Sequence, residues 1–241
     1  EPLLHRDIEE FIAETKKRGL EVYVTTNGVP LDKEKAESCL PNLTWIRFSV
    51  DAGTPEKYAL IHGTKPQDFE KVIENIRYAA EIKRKNNLNV NIGVQALIIP
   101  DSVGEMEKLA RLAKDAGADN LQIKPYSQHP DSRNQFAVDY TKFSELESAL
   151  NRFESENFKV WFRKETMNRL QEGASYDYCY GLSFFSLIDS KGNVIPCNLF
   201  YNNSEFTYGN LYKSSFSEIW KGDKRKEVLK ELKEKGIEEC R

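Results

Sequence analysis

The chain has 241 residues, of which 30% are charged, with a formal net charge of −3; that length accommodates one large domain and a small appendage. Its lysines and arginines are scattered along polar helix faces instead of gathered into a stripe, which argues against nucleic acid or an anionic membrane as a partner. No apolar run approaches the roughly 20 residues that span a bilayer, and no signal-like segment opens the chain, so a cytoplasmic location is expected.

The sequence begins at Glu1-Pro2 instead of a methionine and ends just after Cys240, so the reading frame is expected to continue in both directions. Ile8, Phe11 and Ile12 fall on one face of a first helix, and Gly19 is placed to end it. Val22 to Thr26 reads as a strand running into the turn pair Asn27-Gly28, and Trp45 to Asp51 as a second. Phe69, Val72, Ile73, Ile76 and Ala80 mark a long amphipathic helix. Val90 to Ile99 is a long strand, and Met106, Leu109, Ala110 and Ala113 stripe a helix that Gly117 ends. A strand beginning at Leu121, a helix carrying Phe143, Leu146, Leu150 and Phe153, and a strand from Lys159 to Arg163 complete the alternation. Strands that alternate with helices must lie parallel and be joined by crossovers, in either an open doubly wound sheet or a closed or partial barrel.

Near residue 175 the texture changes. Ser183 to Phe200 reads as a β-hairpin turning at Asp189-Ser190-Lys191-Gly192-Asn193, and a charged helix from about Phe216 to Lys235 buries Ile219, Trp220, Val228 and Leu232. A boundary near residue 170 therefore divides an α/β domain (1–170) from a small hairpin-plus-helix domain (171–241).

Polar residues collect at the C-terminal ends of the strands, where parallel α/β folds build ligand sites. They are Thr25-Thr26-Asn27, Ser49 with Asp51, Gln95, and the run Lys124-Pro125-Tyr126-Ser127-Gln128-His129. Hydroxyls, amides, one carboxylate and one cation suit a zwitterionic, ribose-bearing ligand better than a polyphosphate, and no glycine-rich phosphate loop follows any strand. Lys124 at a strand end is placed to contact substrate or to pair with Asp51.

Of the four cysteines, Cys39 lies in a helical stretch and reads as a buried thiol. Cys179, twelve residues, Gly192, four residues and Cys197 form a second constellation, with Cys240 further on. A hairpin with glycine at its tip brings the first two thiols together; Cys240 offers a third ligand for a metal or cluster, and a fourth is expected beyond residue 241. A structural zinc site and a pair of buried apolar thiols are the other readings.

These motifs together resemble the radical S-adenosylmethionine (SAM) enzymes. Glu1-Pro2-Leu3-Leu4-His5 resembles the tail of their Gly-Gly-Glu-Pro strand, Thr25-Thr26-Asn27-Gly28 the end of their third strand, and Phe48-Ser49-Val50-Asp51 that of their fourth. The Cys-x12-Gly-x4-Cys spacing resembles the opening of their SPASM and twitch auxiliary domains. The resemblance implies a partial (β/α)6 TIM-like barrel followed by an auxiliary cluster domain. It implies that Glu1 and Pro2 border the methionyl amino group of S-adenosylmethionine, that Ser49 and Asp51 serve its carboxylate or ribose and Gln95 its ribose, and that Lys124, Pro125 and Tyr126 receive the adenine. Cys179, Cys197 and Cys240 would bind an auxiliary [4Fe–4S] cluster; the central [4Fe–4S] cluster would belong to a Cys-x3-Cys-x2-Cys loop preceding Glu1. Lys124, Tyr126 and His129 are candidate substrate contacts. Arg163 is a candidate catalytic residue that binds a hydroxylated substrate or takes its proton.

The implied reaction is hydrogen abstraction by a 5′-deoxyadenosyl radical from a small polar metabolite such as a sugar, aminocyclitol or nucleoside, with flavodoxin or ferredoxin as electron donor. A peptide-modifying maturase is the alternative within the family. A non-redox α/β-barrel hydrolase or binding module with a structural zinc is the alternative outside it.

Overall fold

Five β-branched and apolar segments form strands that pair in parallel: β1 (Tyr23–Thr26), β2 (Trp45–Ser49), β3 (Asn91–Ile98), β4 (Asn120–Pro125) and β5 (Lys159–Phe162). The structure is a computed structural model and describes residues 1–129, 131–173 and 176–236; Cys240 lies outside the described residues. The chain divides into two compact units, one of residues 1–126 and 136–171, the other of 127–135 and the chain from 172 onward.

In the first unit the strand order is β1-β2-β3-β4-β5. A doubly wound sheet reverses its order partway, whereas this one adds every strand on the same side, the winding of a barrel. Five of the strands of a (β/α)6 half-barrel are thus present among the described residues. Successive right-handed crossovers put the helices on one face and leave the other without them. The alternation follows: in β2, Ile46 and Phe48 are fully buried, while Trp45, Arg47 and Ser49 on the opposite face are only half-buried. The covering helices are α1 (Ile8–Lys17), α2 (Lys33–Cys39), α3 (Pro55–His62), α4 (Pro66–Lys85), α5 (Met106–Asp115), α6 (Ser144–Asn151) and α7 (Lys164–Glu172). Helix α4 starts with proline in its first turn and ends on Lys83, Arg84 and Lys85, an arrangement that suits both its free N–H groups and its dipole. Helix α3 has no counterpart in the periodic pattern, because Tyr58 is its only buried residue; Pro55 starts it and Gly63, at φ +63°, stops it.

In the second unit the expected hairpin is shorter than its apolar pattern. Strands β6 (Leu187–Ile188) and β7 (Asn193–Ile195) pair antiparallel, and a third strand, β8 (Gly209–Asn210), joins β7. Asp189 ties the turn by accepting the N–H groups of Lys191 and Asn193, and Gly192 takes φ +77° there. The expected single helix is two, α8 (Phe216–Lys221) and α9 (Asp223–Lys235), separated by Gly222 in an extended conformation. Ser215 and Glu218 cap α8 reciprocally. Leu182, Val194, Phe206, Tyr208, Ile219, Val228 and Leu232 form the core of this unit.

Candidate functional site

Of the sequence-derived polar residues, Thr25, Ser49, Gln95 and Lys124 fall on the face of the sheet opposite the helices. Parallel register aligns Ser49 with Gln95 and Gln95 with Gln122, so three strands place one polar side chain each in a row. One row lower, Thr25, Arg47, Gly93 and Asn120 are aligned. Tyr23 stacks on Trp45 at 5.1 Å between ring centres, and the Arg47 guanidinium lies 4.4 Å from the Trp45 ring centre.

Glu1 is fastened to the end of β1. One carboxylate oxygen accepts the Thr26 hydroxyl at 2.8 Å and the Leu3 N–H at 3.0 Å; the other accepts the Asn27 N–H at 2.7 Å. Pro2 opens the short 3-10 turn that follows. Beyond the strand, Gly28 at φ +81° lets the chain turn, and its N–H donates to the Thr26 hydroxyl. The Glu-Pro and Thr-Thr-Asn-Gly segments, widely separated in sequence, are therefore one structural feature.

Asp51 follows β2 and is engaged inside the protein. Its Oδ1 accepts the Leu97 N–H at 2.7 Å, its Oδ2 lies 3.5 Å from Nε2 of His62, and its own N–H donates to that nitrogen at 3.2 Å. Burial raises the Asp51 pKa and lowers that of His62. An ion pair between Lys124 and Asp51, one of the two roles read for Lys124, is not formed: the Asp51 carboxylate is engaged by the Leu97 N–H and by His62, and the charges acting on Lys124 among the described residues are those of Arg163 and Arg47.

Lys124 instead shares its surroundings with Arg47 and Arg163. Burial lowers the Lys124 pKa, and the charges of Arg163 and Arg47 lower it further; burial and Arg163 act on Arg47 in the same direction. Arg163 follows β5, its backbone N–H donates to Ile123 O at 3.0 Å, and its guanidinium donates to the Thr166 hydroxyl at 3.4 Å. A guanidinium stays protonated, so Arg163 can anchor a substrate but cannot take its proton. Arg47 was missed in the sequence, although it has the parity of Ser49 in the same strand and must share its face.

Pro125 is buried at the end of β4. The Tyr126 N–H is taken by the Tyr140 hydroxyl at 2.9 Å, and its ring meets Phe136 edge-on at 5.0 Å. His129 belongs to the second unit despite its closeness in sequence to Lys124. Its Nδ1 accepts the Asp131 N–H at 3.1 Å, so Nε2 is the donor to Asn198 O at 2.9 Å, next to Cys197.

In the second unit Cys179 and Cys197 are half-buried, pack on the same core, and line one cavity of about 940 Å³ with Tyr178, Leu182, Phe200 and Phe206. The Tyr208 hydroxyl is buried without a partner, and burial pushes its pKa up to about 12, with Tyr178 and then Cys197 adding to the rise and Arg225 opposing it. No group of three metal-ligating side chains is assembled among the described residues. Cys39 is fully buried in the core of the first unit, and burial pushes its thiol to about 11.

No helix among the described residues is long and apolar enough to cross a membrane. The family model described as the radical SAM superfamily matches residues 1–113, and that described as an iron–sulfur cluster-binding domain, SPASM, matches residues 179–241. A probable GTP 3′,8-cyclase of Pyrobaculum aerophilum is 33% identical over 110 residues, 46% of this chain and 36% of that protein. One of Methanosarcina acetivorans is 40% identical over 81 residues, 34% of this chain and 24% of that protein. The chain thus spans about a third or less of these relatives' length. The crystal structure of Streptococcus suis SuiB superimposes with a TM-score of 0.69 at 15% identity, over 92% of this chain and 54% of SuiB, a likeness of fold.

Proposed function

This chain belongs to the radical SAM superfamily, in the branch that carries a SPASM iron–sulfur domain, and we propose that it forms the barrel and auxiliary domain of an enzyme that abstracts hydrogen from a small polar metabolite. The observation that carries the reading is the row Ser49, Gln95 and Gln122 on a sheet face that no helix among the described residues covers, with Gln122 Oε1 buried and unpartnered. A buried acceptor without a donor costs on the order of 1–3 kcal/mol, which a polar ligand on this face offsets. The names of the cyclase relatives, which specify a nucleotide, support a small polar substrate; the fold likeness to SuiB, whose structure is also known with its precursor peptide SuiA, carries no weight for a peptide.

The residues present fit the family's cofactors. Glu1, Pro2, Ser49, Gln95 and the backbone from Lys124 to Tyr126 would hold S-adenosylmethionine, with Asp51 fixing the β2 end beside them. Cys179, Cys197 and Cys240 would hold the auxiliary cluster, and the unpartnered Tyr208 hydroxyl beside Cys197 offers a hydrogen bond of the kind that tunes cluster sulfurs. When bound, S-adenosylmethionine with the reduced central cluster supplies a 5′-deoxyadenosyl radical that takes hydrogen from an unactivated C–H bond. The chain's own part is to hold the substrate in place, through Gln122 and the Lys124 side chain, and to keep water off the reacting carbon. The electron donor belongs to the flavodoxin or ferredoxin class.

Anaerobic reconstitution with iron and sulfide tests the auxiliary site. The expected result is a brown chain whose visible absorption and iron content fall in Cys179→Ala and Cys197→Ala. A colourless chain that takes up zinc through the same cysteines would overturn the cluster assignment.

A further inference from the structure

We infer that the helix-free face of the parallel sheet binds an oxyanion of the substrate, a carboxylate or phosphate group, through Arg47, Lys124 and Arg163. The inference rests on the reading that this face is the substrate side of the barrel, and it adds the charge of the substrate.

The three cations come from separate strands or strand ends, and register brings them onto one face. Arg47 is aligned with Thr25 and Gly93, Lys124 with Leu97, and Arg163 follows β5, bonded through its backbone to Ile123. Arg47 and Lys124 are half-buried and Arg163 is exposed; like charges on one face repel each other, and burial adds a desolvation cost for the first two. Elsewhere in the first unit such charges are neutralised: Lys83 meets Asp119 at 2.6 Å, and Glu105 meets Lys108 at 3.2 Å. Arg47 and Lys124 have no such carboxylate among the described residues, because Asp51 is spent on Leu97 and His62. The missing negative charge is one that a ligand brings.

Polar atoms on the same face are also without partners. Arg47 Nε, Asn120 Oδ1 and Gln122 Oε1 are all buried and make no hydrogen bond. A guanidinium stacked on Trp45 keeps its edge available for an oxyanion, in the fork geometry that suits carboxylate and phosphate. Gly93 lies in register between Arg47 and Asn120, and a Cβ there would come within 2.8 Å of Asn120 Oδ1, so the missing side chain lets the Asn120 amide lie over β3 on the face that carries Arg47. The two amide oxygens would accept hydroxyl or amino hydrogens of the same substrate. With Lys124 as the one cation, the polar set suited a zwitterion better than a polyphosphate; Arg47 and Arg163 on the same face shift the balance of charge toward an oxyanion.

The test is titration of inorganic phosphate into the chain at low ionic strength, followed by calorimetry and tryptophan emission, with circular dichroism to confirm folding. Binding is expected in the parent chain, about tenfold weaker in Arg47→Met and in Lys124→Met, retained in Lys124→Arg, and unchanged in Lys17→Met on the outer surface. Absence of binding to the folded parent chain, or equal affinity in Lys124→Met, would overturn the inference. So would displacement of phosphate by S-adenosylmethionine, which would assign the cations to the cofactor's carboxylate. Phosphate binding with no cluster uptake would leave the inference standing and overturn the auxiliary-cluster assignment; cluster uptake without phosphate binding would do the reverse.

Discussion

His62 accepts the backbone N–H of Asp51 at 3.2 Å and faces its carboxylate at 3.5 Å, while the other carboxylate oxygen holds the Leu97 N–H. Asp51 therefore ties β2 to β3 through a pair of groups whose protonation states burial has moved in opposite directions.

The pH dependence of stability follows from that pair. Burial holds the folded His62 below the ordinary histidine value of 6.5, so the unfolded chain binds a proton that the folded chain refuses, and stability falls as pH drops below about 6.5. Asp51, raised above 3.8, acts the other way: its burial cost is relieved as pH falls through its folded pKa. Urea melts at pH 7 and pH 5.5 should show the parent chain losing stability at the lower pH and His62→Gln losing less. An equal loss in both would show that His62 does not carry the effect.

Gly28→Ala should destabilise the first unit by about 2–4 kcal/mol. The residue combines φ +81° with a Cβ position 2.6 Å from Phe48 Cδ1, in the middle of the core. Denaturant unfolding followed by circular dichroism measures it, and a loss below about 1 kcal/mol would mean that the turn after β1 relaxes readily.

Glu1→Ala removes the acceptor of the Thr26 hydroxyl and of the Leu3 and Asn27 N–H groups. A stability loss of about 1–2 kcal/mol is expected, together with weaker S-adenosylmethionine binding by equilibrium dialysis. Unchanged cofactor affinity at reduced stability would confine Glu1 to a structural role.

Thiol alkylation separates the cysteines. Cys39, fully buried with its thiol held near 11, should resist iodoacetamide in the folded chain, while the half-buried Cys179 and Cys197 react and become protected once the chain is loaded with iron and sulfide. Peptide mass spectrometry reads all three sites; protection of Cys39 alone in both states would argue that no cluster forms at the other two.

The strands of the barrel were legible because runs such as Val22 to Thr26 and Trp45 to Ser49 carry β-branched and aromatic residues between clear turn signals. The cysteine and glycine spacing was legible because one hairpin joins its parts. Arg47 was missed because its importance depends on register: only when Thr25, Arg47 and Gly93 are aligned does a mid-strand cation join a site. His129 shows the limit of adjacency in sequence: it follows Lys124 by five positions and yet belongs to the second unit. Helix α3, with one buried residue, has too weak an apolar face for periodicity to reveal.

The central claim is tested most directly by 5′-deoxyadenosine formation. Protein from the native reading frame, reconstituted anaerobically and given S-adenosylmethionine and dithionite, should release 5′-deoxyadenosine, and Glu1→Ala and Ser49→Ala should lower the yield. Protein loaded with iron and sulfide that leaves S-adenosylmethionine intact under these conditions would contradict a radical mechanism for this chain.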